Sequence, residues 1–102
     1  MKALKEGSWS ILKVKDEEPD LIVKTLESEL ALGVSTIWVL DFTFVESVEP
    51  TIFEKLTKLI AQFPIRVNQF QILNPGESVL RVLKETGFEN KCQIRHLYPT
   101  AW

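Results

Sequence analysis

A single cysteine, Cys92, excludes an internal disulfide and suits a reducing cytoplasm. No apolar run approaches the ~20 residues that a membrane-spanning helix needs, so direct membrane insertion is not expected. The first residues, Met1-Lys2-Ala3-Leu4-Lys5-Glu6, lack the apolar core of a signal peptide. Neither sign of charge is in excess: 12 Lys and Arg stand against 14 Asp and Glu, a formal net charge of −2. That balance offers no general attraction to nucleic acid or to an anionic membrane. What remains is ordinary globular material, 45% hydrophobic and 25% charged. One hundred and two residues suffice for one core, so 1–102 is read as a single cytoplasmic domain.

The periodicity of the chain alternates between two and 3.6. Gly7 and Ser8 punctuate a hairpin between a segment near Ala3 and Leu4 and an alternating strand over residues 9–14. Acids around Pro19 then announce a helix, because free N–H groups and the helix dipole favour negative charge there. Ile22, Val23, Leu26 and Leu30 recur at helical spacing, and Gly33 stops the run. Residues 37–40 are apolar without alternation, the pattern of a central strand covered on both faces. A second helix spans 50–63, with Ile52, Leu56, Leu59, Ile60 and Phe63 on one face and Pro64 as its stop. A strand over 69–73, a helix over 77–86 ended by Gly87, and a last strand over 92–98 ended by Pro99 complete the chain. Strands alternating with helices imply α/β architecture, a mixed and mainly parallel sheet flanked by helices.

Within residues 35–88 the order of signals is more specific. The strand 36–42 carries Asp41 near its end, and Glu49-Pro50-Thr51 follows eight residues after that acid. Leu73-Asn74-Pro75-Gly76 then leads into a helix ending in Thr86-Gly87. This order resembles the STAS family, named for sulfate transporters and anti-sigma factor antagonists. The resemblance implies a single STAS-like domain over 1–102 that binds a protein partner, an anti-sigma factor or a serine-kinase relative, rather than catalysing a reaction. In members that act as switches, a Ser at the start of the second helix accepts phosphate; this chain has Pro50 there. A phosphate at a helix N-terminus adds about −1.5 to −2 of charge and can repel a partner. Pro50 has no hydroxyl to modify, although Pro suits a first helical turn.

The candidate residues follow from that comparison. Thr51 and Ser47 are the hydroxyls nearest the vacant acceptor position and the candidate phosphorylation sites. The reading preferred for Thr51 is nonetheless a first-turn Thr with a local hydrogen bond. Glu49, Pro50 and Thr51 form the candidate partner-binding segment. Asp16, Glu17 and Glu18 join it, since the resemblance brings the loop before the first helix close to the phosphorylation loop. Those acids also read as a solvated loop that complements the helix dipole. Cys92 and His96 would share a strand face, but two ligands do not make a zinc site, and four strand residues separate them by ~13 Å. The Asn74-Pro75-Gly76 turn lacks the phosphate-loop ending Lys-Ser/Thr. No metal, cofactor or catalytic constellation is expected. The second expectation is an accessory STAS subunit of a transporter or a stressosome-like assembly, for which constitutive docking replaces a phosphate switch.

Overall fold

The computed structural model describes residues 1–15 and 18–97. Strands β1 (Ala3–Glu6) and β2 (Trp9–Lys13) form the antiparallel hairpin, with Leu4 opposite Ile11 and Glu6 opposite Trp9. Helix α1 (Pro19–Leu32) opens on Pro19 behind an extended Glu18 and closes on Gly33. Gly33 sits at φ 68°, a conformation that a side chain would oppose. Strand β3 (Ile37–Asp41), helix α2 (Thr51–Gln62), strand β4 (Phe70–Leu73), helix α3 (Glu77–Thr86) and strand β5 (Gln93–Arg95) follow, with single 3-10 turns before β4 and β5.

The five strands lie in chain order, β1-β2-β3-β4-β5, and every pair after the hairpin is parallel. Three right-handed crossovers stepping the same way along a sheet place all three helices on one face. The burial pattern agrees. Leu12, Leu40 and Ile72, in register across β2, β3 and β4, join Leu26, Leu56 and Leu83 of the helices in one core. Phe53 and Phe88 add rings there with centroids 5.1 Å apart, and Phe70 meets Phe88 edge-on.

Strand β3 is buried on both faces, as its unbroken apolar run implied, although the helices pack on one of them. Val39 lies on the other face between Ile11 and Gln71, outside the helix-packed core, although it is itself buried. Unbroken apolar sequence on β3 therefore reflects its central position in the sheet rather than a second helical layer. Phe63 was expected on the buried face of α2 but is partly buried and extended, because Pro64 disfavours helical dihedrals in the residue before it. Phe63 still packs against the core from the end of the helix, and Phe53 in its first turn is fully buried. The last strand is three residues long, so neither Cys92 nor His96 belongs to it: Cys92 is buried before it and His96 exposed after it. Tyr98, Pro99 and Trp102, read as the end of that strand and the terminus, lie outside the described residues, as do Asp16 and Glu17.

Candidate functional site

Parallel strands deliver their following loops to one end of the sheet. Here the segments after β2, β3 and β4 gather there, which is where open α/β sheets carry their sites. Between the first two segments lies a cleft of about 370 Å³. Val14, Ile22, Val45 and Ile52 give it apolar walls, and Glu18, Ser47 and Glu49 line it as well. Three of the expected residues are thus brought together. Pro50 and Thr51 stand just beyond Glu49, exposed at the start of α2, and do not line the cleft.

The start of α2 is set by its backbone. Pro50 already has helical dihedrals, φ −55° and ψ −27°, and Glu49 accepts a hydrogen bond from the Ile52 N–H at 3.1 Å. No side chain caps this helix. The Thr51 hydroxyl makes no hydrogen bond among the described residues, so the local bond considered for it is not formed. Asp20, in the first turn of α1, pairs with Lys55 of α2 and ties the two helices together beside the cleft. Glu18 and Glu49 make no ion pair among the described residues.

A polar relay fixes the β3–α2 segment from behind. Asp41 Oδ1 accepts hydrogen bonds from the backbone N–H of Thr43 at 2.9 Å and from its hydroxyl. Asn74 Nδ2 donates to Thr43 Oγ1 at 3.0 Å, while Asn74 Oδ1 accepts from the Leu97 N–H at 2.7 Å. The Asn74 N–H donates to the Arg95 carbonyl at 2.7 Å. One side chain therefore joins the loop after β3 to the chain after β5. Asn74 does so at φ 52°, a left-handed conformation that Asn tolerates better than most residues. Sequence reasoning treated Asn74 as a turn residue only. The signal for its partner was present in Asp41 and Thr43, an acid two residues before a hydroxyl, the spacing of an Asx-type turn.

Among the described residues no three of His, Cys, Asp and Glu are grouped to hold a metal. Cys92 lies elsewhere, against the 3-10 turn before β5, with its Sγ 3.5 Å from the Phe88 carbonyl. Burial, then the charge of Glu89, pushes its thiol up to about 12, so it is held as a thiol and not as a nucleophilic thiolate. No helix among the described residues is long and apolar enough to cross a membrane.

No protein-family model and no curated protein matches the sequence. Solved structures do match its fold. A Thermotoga maritima protein assigned as an anti-sigma factor antagonist has 23% identity and a TM-score of 0.71, over 95% of this chain and 86% of that one. The anti-sigma factor antagonist SpoIIAA in its unphosphorylated form has 10% identity and a TM-score of 0.70, over 95% and 87%. A chain from the stressosome, a signal integration and transduction hub, has 15% identity and a TM-score of 0.68, over 94% and 87%. The class is therefore a STAS fold, as the resemblance implied. Its structural neighbours include anti-sigma factor antagonists and a stressosome component.

Proposed function

We propose that this chain is a non-enzymatic, cytoplasmic regulatory module that docks a protein partner with the end of the sheet around the start of α2. The observation that carries this reading is the cleft with apolar walls and an acidic rim, open at the end where Glu49, Pro50 and Thr51 are exposed. The partner class that the fold favours is an anti-sigma factor or a serine-kinase relative. Docking is constitutive with respect to the usual phosphate, because Pro50 has no oxygen to accept it. Thr51 is the first alternative acceptor and Ser47 the second; both are exposed. The likeness to a stressosome chain supports a second reading, constitutive incorporation into a larger assembly. Size-exclusion chromatography of native lysate separates the two readings: co-migration with very large particles selects the assembly.

The test uses a photo-crosslinking residue placed at Thr51 and, separately, at Val34, which is exposed at the opposite end of β3. One protein is expected to be captured from Thr51 and not from Val34. A folded chain that captures nothing from Thr51, or the same proteins from both ends, overturns the proposal. With the captured partner in hand, wild type, Thr51→Ala and Thr51→Glu are expected to bind equally, with no phosphate on Thr51 by mass spectrometry. Stoichiometric phosphate on Thr51 together with lost binding would sink the constitutive reading.

A further inference from the structure

Phe44 is 69% exposed, the most exposed of the large apolar side chains described. Its position is not that of a loose loop. The Val45 N–H donates to the Phe42 carbonyl at 3.0 Å, which closes a turn with Thr43 and Phe44 as its central residues. Phe42 and Val45 on either side are buried, and Thr43 is held by Asp41 and Asn74. The backbone that carries Phe44 is thus held by its neighbours while the ring stands in water. Leu97, 57% exposed, is tied to the same turn through Asn74. Single exposed apolar residues are ordinary; a ring carried on a hydrogen-bonded turn, next to a residue, Val45, that lines a cleft with apolar walls, has the form of a binding anchor.

The acids of the cleft and its rim favour one occupant; Lys13 and Arg95 are exposed at the same end, at the close of β2 and of β5. Glu46 and Glu49 follow Phe44 in the same segment, and Glu18 lines the cleft across from them. None of the three makes an ion pair among the described residues. Lys15, the cation in the cleft lining, has an interaction of its own, and Lys55 is engaged by Asp20. A second copy docking by this surface would set these acids against their own kind. Nucleic acid and anionic lipid meet the same repulsion.

We propose that Phe44 and the adjoining cleft dock a basic amphipathic segment of a partner protein, one apolar side chain of which fills the cleft while the next packs on the Phe44 ring. Lysines or arginines on that segment face Glu18, Glu46 and Glu49. This rests on the function proposed above and gives its docking surface an anchor and a partner chemistry.

The probe is a phage-displayed library of random peptides selected on the full chain, with the enriched peptides then synthesised and titrated by fluorescence anisotropy. Enriched sequences are expected to combine aromatic or aliphatic residues with Lys and Arg. Phe44→Ser is expected to weaken them about thirtyfold or more, the size of a hot-spot residue. A Glu46→Gln, Glu49→Gln double variant should weaken them and flatten their salt dependence. Val34→Ser, as exposed at the far end, should leave them unchanged. Thermal unfolding checks that each variant is folded. Peptides that depend on Glu49 but ignore Phe44→Ser overturn this inference and leave the proposed function standing. Peptides indifferent to this whole end overturn both. A library yielding no binder that depends on Phe44, binders without basic residues, or self-association abolished by Phe44→Ser each overturns it as well.

Discussion

Leu56 has no accessible surface and sits in the core beneath the sheet, where the side chains of α2 meet Leu40 and Ile72. Truncating it leaves a cavity that the surrounding rings fill only in part, so Leu56→Ala is expected to cost about 2–5 kcal/mol in urea unfolding. A near-neutral result would move this face of α2 out of the core. Cys92 gives a second, pH-dependent expectation. Below 9.0 its thiol is neutral in the folded and unfolded chain alike, and stability is intact. Between 9.0 and about 12 only the unfolded chain releases the proton, so unfolding is favoured as the pH rises through that interval. Urea midpoints on either side of 9.0 should fall more steeply for wild type than for Cys92→Ala. Equal slopes would show that the thiol ionises as freely in the fold as outside it.

At the scale of elements, the loop after β3 and the turn after β4 act as one piece because Asn74 bonds to both Thr43 and the backbone of Leu97. Asn74→Gly keeps the left-handed dihedral available while deleting the side chain, so it isolates the relay from the turn. It is expected to cost about 0.5–1.5 kcal/mol, the net worth of a hydrogen bond whose partners water can reach, and to raise amide hydrogen exchange at Thr43 and Leu97. Unchanged exchange at both amides would show that the loop is held without Asn74. Helix positions were legible in the sequence because their stops are chemical: Gly33, Pro64 and Gly87 each end a run for a local steric reason. The strand 69–73 was legible to within one residue, Gln69 forming part of the 3-10 turn instead. Other features depended on contacts between distant residues. Phe53 was not among the residues named for the buried face of α2, although it stands beside Leu56 and Ile60 at helical spacing; its ring partners, Phe42 and Phe88, are set by the fold and not by a local period. The gathering of Glu18 with Ser47 and Glu49 followed from the family resemblance, whereas the exposure of Phe44 depended on a turn that fixes its neighbours inward.

For the whole molecule, one core joins side chains from β2, β3, β4 and all three helices. A chain with one core should unfold in one step, so far-UV ellipticity and the reactivity of Cys92 toward a thiol reagent are expected to share a single urea midpoint. Thiol exposure well ahead of the loss of helix would instead separate the α3–β5 end as its own unit. The two ends of the sheet differ in kind: one carries the cleft and the relay, the other the exposed Leu32 and Val34. The order of the strands has a consequence for how such a chain is made. Each strand pairs with the one synthesised just before it, from β1 to β5. On a ribosome no half-finished sheet waits with a gap for a strand still to come, and only one border at any moment awaits its next strand. Assembly can therefore keep pace with translation, every new strand closing the edge left by the last.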